Sequence, residues 1–132
     1  VYKRQGPAGF ALKGLLRQDS HTLAVAKAMQ AIHGDCAAQR SIDGMARAVG
    51  MSASSFHRAF RQVTDDTPLQ YIKKVRLTQA RALIVEEGYR VGAAAAAVGY
   101  ESAAQFSRDF KTYFGITAVD AQRTGTPFAR TA

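Results

Sequence analysis

The chain is short of cysteine, of long apolar runs and of acidic residues, and each shortage excludes a class of protein. A single cysteine, Cys36, rules out an internal disulfide and falls short of any multi-cysteine zinc pattern. No metal and no cofactor are expected. No apolar run approaches the roughly 18 residues of a membrane span, and the N-terminal Val1-Tyr2-Lys3-Arg4-Gln5-Gly6-Pro7 is too polar for a signal-peptide core. The expectation is a soluble, cytoplasmic chain with no membrane partner. Alternating runs of Val, Ile, Thr and aromatics are scarce, which disfavours sheet. Asp and Glu number 10 against 18 Lys and Arg, for a net +8 and a pI near 10.1. Such a surplus suits a polyanionic partner, although charge alone specifies no fold. The first residue is Val1 rather than Met, so the chain reads as an excerpt of something longer.

Apolar residues make up 47% of the 132, enough for a core. Alanine supplies much of that share, which favours helices. The length suits one compact domain, or two small subdomains sharing a helix. An internal repeat organises it. Val49-Gly50-Met51-Ser52 through Phe56-His57-Arg58-Ala59-Phe60-Arg61 has a second copy, Val98-Gly99-Tyr100-Glu101-Ser102 through Phe106-Ser107-Arg108-Asp109-Phe110-Lys111. The offset is 49 at Val-Gly and 50 from Ser52/Ser102 to Thr67/Thr117. One extra residue in the second turn accounts for the change.

Each copy reads as helix, tight turn, helix. Ile42, Met45, Ala46 and Val49 have helical spacing, as do Val91, Ala94, Ala95 and Val98. Gly50 and Gly99 follow where a helix end favours a left-handed residue, and Ser52 and Ser102 stand as N-caps. Phe56, Phe60 and Val63, and likewise Phe106, Phe110 and Tyr113, form stripes expected to pack inward. These are helix-turn-helix units. The opposite faces carry Ser54, His57, Arg58 and Arg61 in the first copy. In the second they carry Ala104, Ser107, Arg108 and Lys111, with Gln105 at the edge. One basic face alone is as often plain solvated surface; two equivalent faces, each behind a turn signal, point to nucleic acid.

Between the copies, Pro68 to Glu87 reads as a helix that starts at a proline and stops at Gly88. Twenty residues at about 1.5 Å rise make a rod of roughly 30 Å, close to the roughly 34 Å between successive major-groove faces. The same apolar positions also suit an ordinary core helix. Upstream, Asp19-Ser20 is read as the cap of a helix ending near Gly34. The resulting division is residues 1–18 as linker or basic arm, 19–66 as the first subdomain, 67–88 as the linker helix, 89–123 as the second subdomain and 124–132 as a tail. The first 40 residues hold six Lys/Arg against two Asp/Glu.

These residues resemble the DNA-binding domain of the AraC/XylS transcription regulators, over roughly Ser41 to Arg123. Val98-Gly99-Tyr100-Glu101-Ser102, Gln105-Phe106-Ser107-Arg108, Phe110-Lys111 and Phe114-Gly115 carry the likeness most specifically. Met51-Ser52, Phe56 to Phe60, Pro68 to Ile72, Arg76-Leu77 and Ala80 add to it. The resemblance implies an all-α fold of about seven helices, with two helix-turn-helix subdomains joined by a long linker helix. It implies monomeric docking on an asymmetric site, with any effector acting through a domain outside this chain and RNA polymerase as a further partner. Carried over, contacts from the first recognition helix fall at Ser54, His57 and Arg58, with Arg61 near phosphate. From the second they fall at Ala103, Ala104, Gln105, Ser107 and Arg108, with Lys111 near phosphate. Three departures from the family stand out. Asp65 replaces a common glycine; its side chain tolerates the left-handed conformation, so the turn is expected to survive. Ala118 replaces a frequent proline, which loosens the entry to the last helix. Ala103 and Ala104 leave only apolar contact with bases, for instance a thymine methyl.

The expected mechanism is phosphate holding by Lys, Arg and helix N-termini, with Arg58 and Arg108 as candidates for paired contact with guanine O6/N7. For each arginine a phosphate clamp or an internal ion pair competes, with Asp109 adjacent to Arg108. His57 reads as a base or phosphate donor or as a plain exposed histidine. Two other classes stand beside this one: a basic helical bundle binding an acidic protein, and a fragment of a DNA-repair methyltransferase whose sole nucleophile is Cys36. That cysteine, in Gly34-Asp35-Cys36-Ala37, has no activating neighbourhood in the sequence, so no enzyme activity is expected.

Overall fold

The structure is a computed structural model that describes residues 8–125. It contains seven helices and, among the described residues, no strand: α1 (Ala8–Gly34), α2 (Ile42–Ala48), α3 (Ala53–Thr64), α4 (Pro68–Val85), α5 (Val91–Ala97), α6 (Ala103–Phe114) and α7 (Ala118–Thr124). The expected number and class of elements are both found. The boundaries of α1 are not those expected. It starts at Ala8, so residues 8–18 are helical rather than linker and Asp19-Ser20 lies inside the helix. Gly9 and Gly14 each cost a helix roughly 1 kcal/mol relative to alanine without forbidding one. The arm residues 1–7 and the tail residues 126–132 lie outside the described residues.

Two compact units divide the chain. The first takes α1, α2, α3 and α4 through Tyr71. In it α1 and α2 pack on α3, burying Val25, Ile32, Met45, Ala46, Phe56, Ala59 and Phe60. Pro68 is fully buried where α4 begins. The Tyr71 ring meets Phe60 edge-on at 5.4 Å, and its hydroxyl lies 2.7 Å from His33 Nε2. The second unit takes the loop Asp35–Gln39, α4 from Ile72, and α5, α6 and α7. Here α6 packs against α5 and α7, and Leu77, Ala80, Ile84, Ala94, Val98, Phe106 and Phe110 are buried. The loop is tied to α4 by the Arg76 guanidinium, whose Nε donates to the Cys36 carbonyl at 2.7 Å and whose Nη2 donates to that of Ala38 at 3.2 Å.

Cys36 is buried, with its Sγ 3.1 Å from Gln79 Oε1. The sequence placed this loop with the first subdomain. What ties it to the second is a set of carbonyls that only the fold brings to Arg76.

Val63 and Tyr113 do not pack inward as their spacing suggested; they are 44% and 45% exposed. Each sits in the last turn of its helix. The buried stripe of α3 is instead Phe56, Ala59 and Phe60.

Candidate nucleic-acid interface

Both copies build their turns from the same parts. In the first, α2 stops at Ala48, Gly50 takes φ +73, and Ser52 Oγ caps α3 by accepting from Ser55 N at 3.2 Å. In the second, α5 stops at Ala97, Gly99 takes φ +103, and Ser102 Oγ accepts from Gln105 N at 3.1 Å. Gly99 has a second reason to lack a side chain. A Cβ there would stand 2.8 Å from Ala37 Cα and 2.9 Å from the Ala37 carbonyl oxygen, closer than real Cβ contacts run.

The recognition helices end alike too. Asp65 and Gly115 both adopt left-handed backbone, at φ 67 and φ 79. The aspartate therefore keeps the turn, as its tolerance of that conformation predicts. The entry to α7 is not loosened by Ala118. Thr117 Oγ1 caps it, accepting from Asp120 N at 3.0 Å, and Ala118 itself is buried.

With the caps fixed, each helix buries one phenylalanine pair and turns its other face out. On α3, Ser54, Arg58 and Arg61 are exposed and His57 is half-buried. On α6, Ala103, Ala104, Gln105, Ser107, Arg108 and Lys111 are all exposed. The side chains of Arg58, Arg61 and Lys111 make no hydrogen bond or ion pair among the described residues, so their charge is available to a partner.

Arg108 differs. It does not pair with Asp109, the internal partner its position suggested. Its Nη2 donates instead to Gln105 Oε1 at 2.9 Å. Asp109 accepts from the Tyr100 hydroxyl at 2.9 Å and from Gln105 Nε2 at 2.8 Å, and lies 3.6 Å from Lys73 Nζ. Burial pushes the Asp109 carboxyl up. The bonds from Tyr100 and Gln105 and the charge of Lys73 outweigh that and hold it below the ordinary range.

Between α6 and α7 lies an open hollow of about 570 Å³, walled by Ser107, Arg108, Lys111, Thr112, Thr117 and Val119. Thr112 and Lys73 were not singled out from sequence, Tyr100 and Thr117 were named there only within the family motif and the repeat, and Asp109 only as a competing ion-pair partner for Arg108. The Gln105–Asp109 pair at i,i+4 was visible there, whereas Tyr100 and Lys73 arrive from other elements.

A family model described as a helix-turn-helix domain matches residues 45–124, more than half of the chain. The chain belongs to this helix-turn-helix family, in its AraC/XylS form. An RCS-specific HTH-type transcriptional activator, RclR of Escherichia coli, is 35% identical over 77 residues, covering 58% of this chain and 27% of that protein. The HTH-type transcriptional regulator GbdR of Pseudomonas aeruginosa is 30% identical over 89 residues, covering 67% of this chain and 24% of that protein. The matched stretch thus spans about a quarter of these relatives' length.

Among solved structures, the DNA-binding domain of AdpA in complex with a target DNA superposes with TM-score 0.68 at 26% identity, covering 84% of this chain and 95% of that one. A Chromobacterium violaceum regulator with an AraC-type DNA-binding domain shares the fold at TM-score 0.74 and 24% identity, covering 80% of this chain and 94% of that one. Among the described residues of the AraC-type chain no helix is long and apolar enough to cross a membrane, and no His, Cys, Asp and Glu side chains cluster there as a metal site would require.

Proposed function

We propose that the chain binds double-stranded DNA sequence-specifically to regulate transcription, α3 and α6 each entering one of two successive major grooves of a single duplex. One observation carries this reading. The AraC-type unit occurs twice, and each copy turns an exposed basic face outward from a capped recognition helix. The 18 residues of α4, the helix that links the copies, extend about 27 Å at 1.5 Å per residue, of the order of the groove repeat.

In this mechanism Arg61 and Lys111 hold phosphates, and the released counterions supply a strong, salt-dependent part of the affinity. Arg58 and Arg108 pair with guanine O6 and N7. Ser54, His57 and Ser107 contribute hydrogen bonds to bases or backbone. Ala103 and Ala104 bring methyl groups to the groove floor, where a thymine methyl is the matching surface. No bond is made or broken. The domain acts as a monomer, in the cytoplasm, without a cofactor. RNA polymerase is a further partner, and effector control comes through a domain outside this chain.

A mobility-shift titration with random duplexes at two salt concentrations tests the proposal. Retardation that weakens steeply with salt is expected. Absence of retardation would assign the basic faces to an acidic protein instead.

A further inference from the structure

Gln105, itself one of the candidate contact residues of α6, and Asp109 form an arrangement with Arg108 that the first copy lacks. At an offset of 50, Gln105 corresponds to Ser55, Arg108 to Arg58 and Asp109 to Ala59. Arg58 is free of any internal partner, whereas Arg108 is held.

The chemistry of the holding group is directional. An ionised carboxylate only accepts hydrogen bonds and a guanidinium only donates them, while a glutamine amide has one end of each kind. Placed between Asp109 and Arg108, the Gln105 amide has one orientation that satisfies both neighbours. Its Nε2 faces Asp109 Oδ1 at 2.8 Å and its Oε1 faces Arg108 Nη2 at 2.9 Å. Reversing the amide would set donor against donor at one end and acceptor against acceptor at the other. Asp109 cannot swing away to relieve that, because the Tyr100 hydroxyl holds its other oxygen, Lys73 lies beside it, and its side chain is only 13% exposed.

We propose that Asp109 and Gln105 are positioning residues that aim the Arg108 guanidinium at its base, with Tyr100 and Lys73 as the anchor. The inference rests on the reading of Arg108 as a base-contacting residue. One guanidinium N–H is spent on Gln105, leaving four of the five for DNA. Holding a long side chain before binding lowers the ordering cost paid on the duplex. The second unit thereby discriminates through one pre-aimed arginine although Ala103 and Ala104 offer no hydrogen bond. Arg58 is ordered only when it meets DNA.

A double-mutant cycle tests this on the whole chain. Selected duplexes first locate the base pair whose preference disappears in Arg108→Ala. At that pair, the affinity ratio of preferred to substituted duplex is then measured for Gln105→Ala, Asp109→Ala and each combined with Arg108→Ala. Each single variant is expected to shrink the ratio roughly threefold to tenfold. In the Arg108→Ala background neither should change it further. An unchanged ratio in Gln105→Ala overturns the proposal. So does a loss of equal size with and without Arg108, which would make Gln105 a base reader in its own right. Gln105 is exposed, so its variant carries the test even if Asp109→Ala melts early. If Arg108→Ala by itself leaves every base preference intact, the reading beneath has failed, and that single variant identifies the failure before the cycle begins.

Discussion

Arg58 and Arg108 hold the same place in the two copies but different surroundings, and their substitutions should differ accordingly. Arg58→Ala is expected to cost about 1–3 kcal/mol on the specific site and to relax preference at one base pair. An equal loss on every sequence, measured by competition with substituted duplexes, would make Arg58 a phosphate holder. Lys111→Ala should instead weaken all duplexes alike and reduce the slope of log affinity against log salt by about 1. Asp109 titrates with the fold. Its carboxyl is held below its ordinary value, so the stabilisation it provides is complete above the unfolded value, about 3.9, and is lost as pH falls through the lowered one. Asp109→Asn should therefore flatten the acid limb of stability below about pH 4, as followed by helical signal in denaturant. The helical period placed eight of the ten candidate contact residues on two outward faces, with Gln105 at the edge of the second and Ala103 added by the family resemblance, because an exposed face is settled within one helix. The partners of Asp109 were illegible, since Tyr100 and Lys73 belong to neighbouring elements.

The ends of α3 and α6 are nearly the same structure made from different residues. Asp65 carries a Cβ into left-handed backbone and sets a negative charge at a helix C-terminus, both unfavourable. Gly115 does neither. Asp65→Gly is expected to stabilise the protein by about 1 kcal/mol, and Gly115→Asp to destabilise it by a similar amount. Chemical denaturation reads both, and a loss of stability in Asp65→Gly would mean that the carboxylate has an unrecognised role. Gly99 is a harder constraint. Gly99→Ala forces both φ +103 and a contact with Ala37 backbone, and should cost more than about 2 kcal/mol.

Caps, glycines and the repeat made α2, α3, α5 and α6 readable, since each depends on residues within one turn of the helix end. The start of α1 was not. Glycines there read as linker, and nothing local announced that the helix would continue through them. Val63 and Tyr113 fitted the apolar period, yet spacing alone does not reveal where the buried stripe ends.

At the scale of the molecule, the duplicated unit and the helix between its copies make one claim about DNA: two boxes, read together. The pairing of basic faces was legible because repetition is a property of sequence. The loop Asp35–Gln39 was not, since its place in the second unit rests on Arg76 reaching carbonyls some 40 residues earlier in the chain. Selection of bound duplexes from a randomised library, followed by a backbone footprint on the best of them, tests the claim directly. The account predicts two protected boxes whose centres lie about 10–10.5 base pairs apart, with Arg58→Ala relaxing one box and Arg108→Ala the other. A footprint confined to a single box, or both substitutions relaxing the same base pairs, would contradict it.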